Sequence, residues 1–154
     1  MCRDFDGNWC PPLRAPAGNI SLSTDALVND TGLPDVVVPD ARQTPVEVLP
    51  TETLMFLLGS RYCETDRLSP VAWQLFGGTP QGWGRVQAIC DFVHRHLPFG
   101  YGFARPTKPA WEAVQERTGV CLHFSHLAVP SFRGSHIPSP YAAARLAARS
   151  APPA

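Results

Sequence analysis

Cys121 is the residue whose type and setting most suit it to chemistry. It stands in Arg117-Thr118-Gly119-Val120-Cys121-Leu122-His123-Phe124-Ser125-His126-Leu127, where a glycine closes one predicted helix and the cysteine opens the next. At a helix start, the positive end of the dipole and the free N–H groups of the first turn favour a thiolate over a thiol. The same N–H groups stabilise the oxygen of a carbonyl that the sulfur attacks. That is the physical reason a cysteine nucleophile belongs at a helix start. The bland reading of a cysteine here is a buried, inert thiol.

The neighbouring histidines do not complete such a site locally. At about 100° per residue, His123 points roughly 200° away from Cys121, and His126 about 140° away. Neither shares its face, so neither is a base for it, and the three do not close on one metal ion. His126 reads as a packed, hydrogen-bonded histidine, and His136 falls in the tail, where the sequence leaves its partner open. His94 and His96 flank Arg95 near a helix C-terminus and read as a solvated face that complements the dipole. Trp73, Trp83 and Trp111 read as core anchors. Arg61, Glu64, Asp66 and Arg67 read as a structural ion network in a turn. The five cysteines, at 2, 10, 63, 90 and 121, are odd in number and include no Cys-x-x-Cys pair. That argues against a disulfide framework or a zinc knuckle, and no metal or cofactor is expected.

The elements that must position Cys121 follow from periodicity and punctuation. Residues 1–48 read as strands and turns, with Asp6-Gly7-Asn8 and Thr31 to Asp35 as turns, Ile20 to Leu22 alternating and Val36 to Val38 β-branched. From Leu49 the pattern is helical. Thr51 is a predicted N-cap for a helix over 52–58. Ser69-Pro70 and Thr79-Pro80 place a capping hydroxyl before a proline at the first helical position. The helix after Thr79 carries Trp83, Val86, Ile89, Cys90, Val93 and Leu97 as one apolar stripe, with Arg85, Gln87, Asp91 and Arg95 off it. Thr107 caps a further predicted helix that Gly119 closes, and the helix of Cys121 runs to Val129. Pro130 to Ser135 is expected to break it. The Ala-, Arg-, Ser- and Pro-rich remainder of 130–154 is expected to be a disordered tail. Three parts result: a β-rich N-terminal region 1–48, a helical region 49–129, and the tail.

Composition removes several functions. The 154 residues carry 13 basic and 13 acidic side chains, a formal net charge of zero, so nothing attracts nucleic acid or an anionic membrane. No apolar run approaches the roughly 20 residues of a membrane span. Met1 to Cys10 lacks a signal-peptide pattern, which makes the cytoplasm the expected compartment. The oligomeric state is not legible.

Several segments, taken together, carry a resemblance. They are Leu58 to Asp66 (Leu-Gly-Ser-Arg-Tyr-Cys-Glu-Thr-Asp), Ala72-Trp73 to Phe76-Gly77, Arg85 to His94 (Arg-Val-Gln-Ala-Ile-Cys-Asp-Phe-Val-His), and Gly119-Val120-Cys121 with Phe124 and His126-Leu127 behind it. Over residues 5–129 the chain resembles the bacterial transglutaminase-like family, related to papain-like cysteine proteases. The resemblance implies an α+β fold: a β-rich N-terminal region and a core whose active-site helix starts at the cysteine. It also implies a Cys-His-Asp triad acting on a protein or peptide substrate. Of that triad only Cys121 carries over. In the family the His and Asp come from strands downstream, and the residues after the cysteine read Arg-Asp where this chain has Leu122-His123. The expectation is therefore an incomplete core, with the helical half present, the catalytic sheet largely missing and the N-terminal region a remnant. Such a chain, truncated or altered by a frame change near Val129, would be an inactive cysteine acyltransferase or peptidase. The competing expectation is a non-catalytic fragment that serves, if at all, as a protein-binding module.

Overall fold

The computed structural model describes residues 2–4, 7–23, 25, 31–34, 36–105 and 107–142. It has two units, Met1–Val36 and Val37–Ala154, each with its own internal packing. The first holds a minimal antiparallel hairpin of β1 (Cys2–Arg3) and β2 (Trp9–Cys10), with Cys2 opposite Cys10 and Arg3 opposite Trp9. The Asp4 carboxylate closes its turn by accepting from the Asn8 backbone N–H at 2.8 Å and from the Asn8 side-chain amide at 3.0 Å. Gly7, at φ 82°, takes the left-handed position the turn requires. The expected strands at Ile20 to Leu22 and Val36 to Val38 do not form, and their apolar side chains are exposed. No neighbouring strand pairs with either among the described residues, and a lone strand has no ladder to stabilise it.

The second unit is helical. Short 3-10 turns at Val46–Val48, Thr51–Leu57 and Tyr101–Phe103 accompany α1 (Thr65–Phe76), α2 (Trp83–His96), α3 (Ala110–Glu116) and α4 (Cys121–Gly134). The first turn lies within the stretch read as strands. The second replaces the α-helix expected over 52–58, and Thr51 makes no capping bond there. Helix α4 is central, because α1, α2 and α3 all pack on it. The core gathers Leu68, Ala72 and Phe76 of α1, Ile89 and Val93 of α2, Leu97, Ala110 and Ala113 of α3, and Leu127 of α4.

Two prolines that the sequence placed at helix boundaries lie inside helices. Helix α1 begins at Thr65, a turn before Pro70, and α4 passes through Pro130 to Gly134. An interior proline costs about 3 kcal/mol. In α1 the burial of Leu68, Ala72 and Phe76, at about 1.5–3 kcal/mol for a large apolar side chain, outweighs it. In α4 the turn after Val129 is buried at Pro130, Ser131, Arg133 and Gly134. Arg133 then ties the helix end down by donating from Nε and Nη2 to the Ser139 carbonyl, at 3.0 and 2.8 Å, and from Nη1 to the Leu58 carbonyl. The two helices meet closely where a Cβ on Gly134 would stand 3.0 Å from the Ser69 Cα. The expected tail thus includes the end of α4, and residues 143–154 lie outside the described residues.

Caps also differ from expectation. Helix α2 starts at Trp83 and not at Thr79-Pro80, because the Trp83 N–H is received by the Ala41 carbonyl at 3.0 Å. Its inward stripe is Arg85, Ile89 and Val93, and Cys90 is exposed. Arg85 is drawn in by the carbonyls that follow α1: it donates to the Gly77 and Thr79 carbonyls at 3.2 and 3.1 Å and to Thr79 Oγ1 at 3.3 Å. Helix α3 starts at Ala110 and not behind Thr107, and its Trp111 N–H is capped from a distance in sequence by Glu64 Oε2 at 2.9 Å. Glu64 also pairs with Arg67 at 3.1 Å, and the Arg67 guanidinium lies over Trp111, so this pair is structural, as read. Trp73 proves 44% exposed, with Arg85 against its ring, so it is not a core anchor.

Candidate active site

Cys121 is the first residue of α4 and is exposed. The three residues before it are each held. The buried Lys108 ammonium donates to the Thr118 carbonyl at 2.8 Å and pairs with Glu116 at 2.6 Å. Hydrogen bonding to Lys108 keeps the Glu116 carboxyl below its usual range. Gly119 forms a parallel bridge with Phe99, its carbonyl accepting from the Gly100 N–H at 3.0 Å. The Val120 N–H donates to His123 Nδ1 at 3.0 Å. The Val120 carbonyl accepts from the N–H of His123 at 2.8 Å and of Phe124 at 3.3 Å. Among the described residues no acceptor meets the N–H of Cys121 or Leu122, so these are the two donors left at the helix start.

The histidines point inward, as the helical angles require. His123 is fully buried and His126 is 4% exposed. Because His123 Nδ1 accepts from an amide, the neutral ring carries its proton on Nε2, which donates to the Arg105 carbonyl at 3.2 Å. His126 Nδ1 donates to the Lys108 carbonyl at 3.3 Å, and its ring stacks on Tyr62 at 5.2 Å. Among the described residues no imidazole is hydrogen-bonded to the Cys121 sulfur, and no group of three His, Cys, Asp or Glu side chains converges to hold a metal ion. His94 is exposed, but His96 is half-buried: its Nε2 bonds the Val114 carbonyl at 3.0 Å and its ring stacks on Phe92.

A cleft of about 370 Å³ opens beside the first turn of α4, lined by Ser60, Tyr62, Cys63, Leu122, His126 and Tyr141. The sequence reading missed this cleft, since nothing in spacing joins residues 60–63 to 141. Its thiol is guarded: Cys63 is 3% exposed, and burial pushes its ionisation up, with Ser60 and Arg133 only partly opposing. Burial also raises the Tyr141 hydroxyl, and the Cys63 and Cys121 thiols add to the effect.

Burial pushes the His126 imidazole below its ordinary value of 6.5, against the opposing bond to Lys108. The folded chain therefore takes up this proton less readily than the unfolded chain. The stability it contributes is present above pH 6.5 and is lost as pH falls through the lower folded value. In urea unfolding, the midpoint should drop on acidification more steeply in the native chain than in His126→Phe, which keeps the stack on Tyr62. Equal slopes would place the sensitivity elsewhere.

With this geometry in view, the comparisons give the class. Residues 71–151, just over half of the chain, match the family model of the transglutaminase-like superfamily. The chain belongs to that superfamily. The match passes Val129, where the sequence resemblance was expected to end. The fold is also similar to the crystal structure of a candidate cysteine protease from Cytophaga hutchinsonii, with a TM-score of 0.61 and 32% identity. That likeness covers 64% of this chain and 34% of the other, so the chain spans roughly a third of that protein's length. No curated protein matches the sequence. Among the described residues, four α-helices in the second unit and a small two-stranded sheet in the first give a partial α+β content of this kind. Among the described residues no helix is long and apolar enough to cross a membrane.

Proposed function

We propose that Cys121 is the nucleophile position of a transglutaminase-like cysteine acyltransferase or peptidase acting on a protein or peptide in the reducing cytoplasm. The carrying observation is an exposed thiol at the first residue of the central helix, next to the two unmet N–H groups of Cys121 and Leu122. In such a reaction the sulfur attacks an amide carbonyl, a carbon–sulfur bond forms, and the two N–H groups receive the developing oxyanion. The carbon–nitrogen bond then breaks, and the departing amine needs a proton. Among the described residues no histidine is placed to carry it, because both nitrogens of His123 are engaged and His126 bonds Lys108. Cysteine sites of this logic lose most of their rate without the base, so the chain by itself is inactive.

Peptide-resolved alkylation with iodoacetamide near pH 7, paired with amine-incorporation and casein-hydrolysis assays, tests both parts. Cys121 should be modified well ahead of the exposed Cys2, with turnover equal in the native chain and in Cys121→Ala. A Cys121 no faster than Cys2 removes the nucleophile. Turnover that disappears in Cys121→Ala removes the claim of inactivity.

A further inference from the structure

His123 occupies the position where the family motif has an aspartate, and it is not a base. Its ring is fully buried, with Nδ1 on the Val120 N–H at 3.0 Å and Nε2 on the Arg105 carbonyl at 3.2 Å. Val120 is the N-cap of α4, and His123 is its third residue. In a capping box, a Glu or Gln at that third position reaches back to the N-cap N–H. We propose that His123 is a positioning residue: its imidazole serves as that cap, fixing the peptide before Cys121 and thereby aiming the Cys121 and Leu122 N–H groups at the thiol. The inference rests on the reading of Cys121 as the nucleophile.

Two further observations support this role. Gly119 does not need to be glycine for its backbone, since its φ is not positive. It needs to be glycine for His123, because a Cβ there would stand 2.8 Å from the His123 Cβ and 3.2 Å from Nδ1. The ring is also anchored at its far side. The Arg105 segment that accepts from Nε2 continues to Lys108, whose ammonium holds Thr118, two residues before Val120. Arg105 and Lys108 are therefore each joined to segment 118–120 by a buried polar side chain. Loss of the imidazole leaves the Val120 N–H, on a residue 8% exposed, without its acceptor. A buried unpaired donor is costly, so the N-cap peptide turns to find another partner and the two free N–H groups turn with it.

The test measures alkylation of Cys121 by iodoacetamide near pH 7, as the ratio of each variant to the native chain. His123→Leu removes both polar atoms. His123→Gln supplies an oxygen for the Val120 N–H and an amide for the Arg105 carbonyl. Gly119→Ala leaves the histidine in place and pushes its ring off the cap. The expected result is a severalfold fall in the Cys121 rate in His123→Leu and Gly119→Ala, with the rate restored in His123→Gln. Native rates in all three overturn the proposal, as does an equal fall in His123→Gln, which marks a packing role. If His123→Leu does not fold, the other two variants decide on the same terms. The ratio of Cys121 to Cys2 within the native chain judges the nucleophile separately, so the two readings fail in different measurements.

Discussion

Arg85→Leu should lower the unfolding free energy of the helical unit by about 2–6 kcal/mol, the cost of two buried carbonyls left without a donor, read from the urea midpoint. Arg85 is 2% exposed, and among the described residues no carboxylate pairs with it. Its guanidinium is satisfied by the Gly77 and Thr79 carbonyls and the Thr79 hydroxyl, and it lies against the Trp73 ring at 5.6 Å. Leucine keeps part of the volume and leaves both carbonyls without a donor, at about 1–3 kcal/mol each. Arg85→Lys keeps the charge but lacks the planar fork that serves several acceptors at once, so it should fall between the two. A loss under about 1 kcal/mol in Arg85→Leu would mean that water replaces the guanidinium, and the carbonyls after α1 would not be what draws Arg85 inward.

Gly82→Ala should cost about 3 kcal/mol or more. At φ 86° a side chain is already strained, and a Cβ would fall 2.0 Å from the Ala41 carbonyl oxygen and 2.9 Å from the Arg42 Cα. Both are backbone atoms, so no side chain can move aside. The same carbonyl accepts the Trp83 N–H at 3.0 Å, so displacing it also unfastens the start of α2. Gly78→Ala is the matched control. Its Cβ would meet nothing within 4 Å and its φ is not positive, so its effect should stay within about 0.5 kcal/mol. Equal midpoints for the two variants would show that the chain around Ala41 yields freely.

Legibility followed the range of the forces. The helices around Cys121 could be read, because their apolar spacing and closing glycines are local signals. So could the inward turn of His123 and His126, which needs only the helical angle. Helix ends were misread wherever a distant group supplied the cap. Ser69-Pro70 and Thr79-Pro80 are sound local start signals, yet α1 begins earlier because burial of Leu68 outweighs Pro70, and α2 begins later because Ala41 receives Trp83. The cap on Trp111 comes from Glu64, 47 residues away, and no window contains both. The stripe of α2 was misread for a related reason. Hydrophobicity alone sends Arg85 outward, whereas the unmet carbonyls after α1 bring it in. At the site, the position of Cys121 was legible. The cap made by His123 was not, since an imidazole in place of Glu or Gln is not the usual sequence signal for a capping box.

Arg133 joins the far end of α4 to Ser139 and Leu58, at the opposite end of a 14-residue helix from the sulfur. In mechanical terms it is a strain relief. Tension arriving through the polypeptide beyond Tyr141 meets the Tyr141 ring against His126 and then the Ser139 carbonyl, held by one guanidinium that is also braced on Leu58. A tag, surface tether or fused protein placed on that side therefore loads this ring contact and the 58–139 clamp before it bends the rod that carries Cys121, and single-molecule pulling from that direction should release both ahead of the helix.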